Sequence, residues 1–193
     1  MKPQTPEVKD EELVLLTLKE SSAFGQIIER YEAKLRRYIS RLGVRNPDDA
    51  TDVLQEIFIK AYVNLNSFDT SLSFSSWIYR IAHNEAISWY RKQNVRPEGH
   101  LIIESDEVLN LLSSKQDGPE LLFDRQINAA ELNKALSKLE PKYLQVLLLR
   151  YFEEKEYSEI SDILRLPIGS VGTLIARGKK QLQTVLNRDN LRI

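Results

Sequence analysis

The 193-residue chain has no cysteine, which excludes a disulfide scaffold, a cysteine-ligated zinc and a thiol nucleophile. Histidine is nearly absent too: His83 and His100 are the only two, too few for a histidine-rich metal centre and poor material for histidine-based catalysis. There is no glycine-rich phosphate loop, no metal-ligand spacing and no Ser/His/Asp grouping, so nothing points to an enzyme, a cofactor, a metal or a small-molecule substrate. Long apolar runs are missing, and none approaches the ~18 residues of a membrane span. The opening MKPQTPEVKDEE is polar and acidic, unlike a signal peptide. The expectation is a cytoplasmic protein without direct membrane insertion. Glycine and proline, seven each, fall mostly between periodic segments, and no stretch alternates with the two-residue period of a strand.

What remains is helical and charged. Hydrophobic residues make up 42% of the chain and charged residues 28%, a composition that builds a core. The net charge of −1 hides an uneven distribution. Residues 21–97 carry 11 basic and 8 acidic side chains, and residues 127–193 also carry 11 and 8. Between them, residues 98–126 carry 2 and 7. Two mildly basic blocks around an acidic connector predict an all-α protein of two small helical domains, 1–95 and 127–193, joined by an acidic linker over 96–126. Charge of this size permits nucleic-acid binding without establishing it.

Apolar periodicity places the helices. Phe24, Ile27, Ile28, Tyr31, Leu35, Tyr38, Ile39 and Leu42 mark one that Gly43 stops. Asn46-Pro47-Asp48-Asp49 starts the next: Asn46 caps, Pro47 suits the first position, and the acids favour the positive end of the helix dipole. Ala50, Val53, Leu54, Ile57, Phe58, Ala61 and Tyr62 form its buried stripe, leaving Asp52, Gln55, Glu56 and Lys60 outside it. A Ser-rich loop leads to a third helix from about Phe74 to Lys92. Within 94–126, apolar patches at 101–103 and 109–112 could form docking turns. Ile127, Leu132, Ala135, Leu136 and Leu139 mark a fourth helix, and Pro141–Phe152 is a very apolar fifth. Two more are expected at Tyr157–Leu164 and Ile168–Leu186. The paired acids Asp48/Asp49 and Glu153/Glu154 fall at helix ends or loops, where capping and solvation account for them.

The last two helices, YSEISDIL and IGSVGTLIARGKKQL, flank the three-residue joint RLP, the layout of a helix-turn-helix. Val171, Ile175, Gly178 and Leu182 share one face of the second helix, and Ser170, Thr173, Arg177 and Lys180 share the opposite one. A recognition helix requires such a polar stripe, because arginine forms two hydrogen bonds to guanine and small hydroxyl residues allow close approach to the groove. Glycine inside a helix costs ~1 kcal/mol. Close helix packing is the expected reason for Gly178, and close approach to DNA for Gly172.

The third helix, SFSSWIYRIAHNEAISWYRKQ, carries a different signature. Phe74, Ile78, Ile81, Ala82 and Trp89 are expected to face the core, with His83 on a flank. Trp77, Arg80, Asn84, Ser88 and Arg91 form an outward stripe of indole, amide and cation, suited to unpaired bases and phosphates.

Three segments in this order resemble the extracytoplasmic-function group of the sigma-70 family of bacterial RNA polymerase sigma factors. DDATDVLQEIFIKAY resembles the helix that docks on the polymerase's largest subunit, FSSWIYRIAHNEAISWYRK the segment that recognises and melts the promoter −10 element, and the stretch from Leu139 to Leu182 the domain that reads the −35 element. The resemblance implies a non-enzymatic subunit without cofactor. Asp52, Gln55, Glu56 and Lys60 would contact core polymerase. Ser73 and Ser75, in the Ser-rich loop 67–76, would line the pocket for a flipped −10 base, and Trp77, Arg80, Asn84, Ser88 and Arg91 would hold the adjacent strand. Ser170, Thr173, Arg177 and Lys180 would contact the −35 duplex. The acidic linker would thread the polymerase's channels, and an anti-sigma factor is the expected further partner. Two positions depart from the family pattern. Arg165 stands in the joint where glycine is common, at a cost of ~1 kcal/mol if the backbone there is left-handed. His83 replaces a frequent basic residue, which makes one phosphate contact weak or pH-sensitive. The competing reading is a stand-alone helix-turn-helix regulator, which needs neither the exposed face of the second helix nor the long acidic linker.

Overall fold

The computed structural model describes residues 8–93 and 129–190, and every regular element among them is helical. An N-terminal group comprises α1 (Asp10–Lys19), α2 (Phe24–Arg41), α3 (Pro47–Val63) and α4 (Phe74–Gln93). A C-terminal group comprises α5 (Ala129–Leu136), α6 (Pro141–Tyr151), α7 (Tyr157–Leu164) and α8 (Ile168–Asn190). The acidic segment 96–126, its apolar patches and Ile127 lie outside the described residues.

In the N-terminal group, Ile27, Leu35, Tyr38 and Ile39 of α2 are buried with Val53, Leu54 and Ile57 of α3 and Phe74, Ile78 and Ala82 of α4. Each fully buried aliphatic side chain contributes about 1.5–3 kcal/mol. Asn46 starts α3 as its residue type dictates, its side-chain oxygen accepting from the Asp48 amide at 2.8 Å, with Pro47 at the first position. One packing expectation is corrected: Tyr62 is 45% exposed and only rests edge-on against Phe24, with ring centroids 5.1 Å apart. On α4, Ile81 and Trp89 pack against the core as expected, half-buried, and Tyr79, His83, Ala86 and Tyr90 go inside as well.

Helix α1 has no counterpart among the elements that periodicity marked. Its run Leu13-Val14-Leu15-Leu16-Thr17-Leu18 is apolar on every side, so no single face stands out. Leu13 and Val14 are buried, and polar ties fix the element. Arg30 donates to the carbonyl of Val8 at 2.8 Å, the Tyr31 hydroxyl donates to Asp10, and Glu11 accepts from the Phe74 amide at 3.1 Å. The last contact satisfies a free amide at the start of α4.

In the C-terminal group α8 lies closely on α6. A side chain at Gly178 would meet Tyr143 Cβ at 3.2 Å and Leu147 at 3.3 Å, so helix contact explains this glycine. The same reason holds at Gly172, where an added Cβ would lie 3.2 Å from the Tyr157 ring; packing within the motif, not approach to DNA, is what the structure shows there. A reciprocal capping box opens α7, with Glu159 accepting from the Glu156 amide at 3.0 Å. Arg165 closes the same helix at φ 54° and ψ 47°, in the left-handed region. Arg165→Gly is therefore expected to stabilise this domain by ~1 kcal/mol in urea unfolding, and an unchanged or lower midpoint would show that the arginine offsets its own backbone strain.

Candidate nucleic-acid and polymerase interface

Helix α3 turns its buried stripe to the core and leaves Asp52, Gln55, Glu56 and Lys60 exposed along the other side. Lys60 is not a free cation: its Nζ lies 2.7 Å from Glu85 of α4. The face that α3 offers is thus acidic and amide in character, a match for a basic partner surface.

The α4 face is more varied than a solvated stripe. Asn84 and Arg91 are exposed, whereas Trp77, Arg80 and Ser88 are half-buried. Trp77 stands as a shelf rather than a free indole, with its ring 5.2 Å from Phe68 and 5.5 Å from Phe74. Ser73 is exposed, and its hydroxyl accepts from the Ser76 amide at 3.2 Å, capping α4. Ser75 is half-buried and bonded to Lys155 Nζ at 2.5 Å. Trp77, Arg80 and Asn84 do converge, lining one cavity of about 290 Å³ together with Lys60, Asn64 and Arg165.

His83 is corrected most clearly. It is buried and its Nδ1 lies 3.1 Å from the Tyr38 hydroxyl, so no phosphate reaches it from α4's outer face. Burial lowers its pKa from 6.5 to about 4, which leaves the ring neutral at pH 7. Because the folded value lies below the unfolded one, the neutral ring's contribution is complete above pH 6.5 and is lost as pH falls toward 4. Acidification from pH 7 to 5.5 is expected to cost ~1 kcal/mol through this residue. Urea titrations of wild type and His83→Gln at both pH values check this, because the variant loses that part of the pH dependence.

On α8, Thr173, Arg177 and Lys180 are exposed and Ser170 is half-buried, while Val171, Ile175, Gly178 and Leu182 face the core. Ser170, Thr173 and Arg177 share a cavity of about 490 Å³ with Lys142 and with His83 of α4. The start of the recognition stripe therefore borders α4, while Thr173, Arg177 and Lys180 keep their exposure.

Composition gave no sign of the residues that join the two groups. Glu153 was expected to be solvated, yet its side chain is 5% exposed, 2.7 Å from Arg41 Nη1, and accepts from the Tyr79 hydroxyl at 2.6 Å. Burial raises its pKa, against the opposing pull of Tyr79 and Arg41. Lys155 is buried with its Nζ over the Tyr79 ring, 4.5 Å from the centroid. Among the described residues no cluster of three or more histidine, aspartate or glutamate side chains could hold a metal, and no helix is long and apolar enough to cross a membrane.

An all-helical architecture with an amide-acid helix face beside an aromatic-cationic one, followed by a helix-turn-helix, fits the class of nucleic-acid-binding proteins. Sigma-70 region 2 matches residues 27–96, and Sigma-70, region 4 matches residues 129–182. Among curated relatives, the ECF RNA polymerase sigma factor SigW of Bacillus subtilis is 36% identical over 174 residues, covering 86% of this chain and 90% of the relative. The ECF RNA polymerase sigma-E factor of Haemophilus influenzae is 30% identical, covering 85% and 87%. Among solved structures, CnrH in complex with the cytosolic domain of CnrY shares the fold at a TM-score of 0.68 and 23% identity, over 93% of this chain and 98% of that one. The chain belongs to the sigma-70 family of RNA polymerase sigma factors, in its extracytoplasmic-function group. Sigma-factor function, and not stand-alone regulation, follows from that membership.

Proposed function

We propose that domain 1–95 binds core RNA polymerase and the melted −10 element, that domain 127–193 reads the −35 duplex, and that 96–126 is the acidic linker between them. Asp52, Gln55, Glu56 and Lys60 form the polymerase face. Ser73, Ser75, Trp77, Arg80, Asn84, Ser88 and Arg91 hold the unpaired strand, with Trp77 offering a stacking surface and Arg91 meeting phosphate. Binding bases only in their unpaired form shifts the duplex toward the open state, which is how a protein without catalytic residues promotes melting. Ser170, Thr173, Arg177 and Lys180 enter the major groove at −35. The protein acts in the cytoplasm, uses no cofactor, and is held in check by an anti-sigma partner. The SigW and sigma-E relatives, named as RNA polymerase sigma factors, support the polymerase assignment.

The observation that carries this reading is the separation of surfaces. Polar stripes of different chemistry lie opposite the buried stripes of α3, α4 and α8, one for each ligand class. Run-off transcription with core polymerase, with and without this protein and with RNA 5′ ends mapped genome-wide, tests it. New starts sharing two upstream elements are expected, and their absence would overturn the reading. Glu56→Lys is expected to impair co-elution with core polymerase because it reverses charge in the middle of the α3 face. Unchanged co-elution would remove that residue from the interface.

A further inference from the structure

Arg165 holds the left-handed conformation of the α7–α8 joint at φ 54°, where glycine carries no strain and any larger side chain does. The joint itself is firmly set. The Ser161 carbonyl accepts from the amides of Arg165 and Leu166, the latter at 3.0 Å, and the Ser161 hydroxyl donates to the Leu166 carbonyl at 2.6 Å. Leu164, just before the joint, packs against the core. Relaxing the backbone to negative φ would break these bonds, so the strain stays with the side chain.

Nothing among the described residues gives that side chain a purpose. Arg165 is exposed, and its guanidinium makes no hydrogen bond or ion pair among them. The cavity of about 290 Å³ that it borders holds two other cations, Lys60 and Arg80. The one acid lining that cavity, Glu85, is taken by Lys60 at 2.7 Å. An arginine kept in a strained turn, among like charges and without an internal acid, is placed for an anion from outside the chain.

Its position in the motif says which anion. In a helix-turn-helix the first helix crosses the DNA backbone and the second enters the major groove by its N-terminal residues, so the joint between them runs beside the phosphates of the groove edge. Arg165 directly precedes Leu166-Pro167 and the start of α8 at Ile168, with Ser170 opening the polar stripe one turn on. A guanidinium there meets a phosphate through paired, charge-assisted hydrogen bonds. We propose that Arg165 is a further DNA-binding residue, holding a backbone phosphate at the edge of the −35 groove, and that the left-handed strain is retained for this contact. The contact fixes the register of α8 without reading sequence. It rests on the −35 role proposed for α8, and it sets stability against binding at a single residue.

Holoenzyme made from core polymerase and the full chain is titrated with promoter duplexes carrying the native and a scrambled −35 element, at ~50 and ~200 mM salt. Arg165→Gly is expected to weaken binding to both by the same factor. Its salt slope is expected to be lower by ~0.9, so that the deficit shrinks three- to fourfold between the two salt concentrations. Arg165→Lys keeps the charge on the same strained backbone and is expected to keep the wild-type slope. Since glycine relieves the turn, weaker binding by Arg165→Gly with an undiminished urea midpoint does not come from a damaged fold. An unchanged slope in Arg165→Gly would overturn the contact, as would a loss confined to the native element. Weaker retention of Arg165→Gly on core polymerase, with the slope unchanged, would assign the residue to the polymerase instead. Arg177→Ala separates the two readings: if it spares both duplexes while Arg165→Gly lowers the slope, the phosphate contact stands and sequence reading by α8 fails. Wild-type holoenzyme that binds neither duplex would overturn both.

Discussion

Gly43→Ala is expected to destabilise the N-terminal domain by about 3–5 kcal/mol, more than any surface change in the molecule. Two separate costs add at this position. Gly43 ends the α2 turn at φ +108°, a conformation that side-chain-bearing residues rarely adopt. Its missing Cβ also makes room for Tyr90 of α4: an alanine methyl would fall on the tyrosine hydroxyl and lie 2.8 Å from Cζ. That hydroxyl donates to the Leu42 carbonyl, a group freed by the end of the helix, and its pKa is pushed up to about 12 by burial. Alanine therefore strains the turn and expels the side chain that ties α4 to it. Urea unfolding followed by circular dichroism measures the loss. A cost under ~1 kcal/mol would mean that the turn relaxes to negative φ and that Tyr90 swings away freely.

Arg177→Ala is expected to weaken binding to the −35 duplex by ~1–3 kcal/mol and to relax sequence preference at one base pair. Arg177 is exposed in the middle of the α8 stripe, a turn beyond Thr173, and its helix is anchored from behind by Val171, Ile175 and Gly178. Its guanidinium therefore projects from a fixed backbone, the arrangement that lets arginine make paired bonds to guanine. The measurement is a comparison of duplexes carrying the native and a scrambled −35 element. Equal losses on both would assign Arg177 to phosphate, with no part in reading sequence.

The sequence by itself determined what depends on neighbours a few residues away. The stripes of α2, α3 and α8 follow from the 3.6-residue period. The Asn46-Pro47 start follows from the unpaired amides of a first turn, whereas the left-handed backbone at Arg165 came only with the structure. The polar faces of α3 and α8 were legible for the same reason, because a residue opposite a buried stripe has solvent as its default neighbour. Where that default failed, a distant partner was responsible. Tyr157, not DNA, sits over Gly172, and Tyr38, from another helix, takes His83 inside and keeps it neutral. Glu153 is held by Arg41, 112 positions earlier, and Lys155 by Ser75, 80 positions earlier. No local period encodes such pairs. An acid beside an acid in a short connection looks solvated until the fold closes a second domain over it. The tertiary structure alone decided that α7 and the α6–α7 connection pack on α4, because only packing chooses which stripe finds a partner.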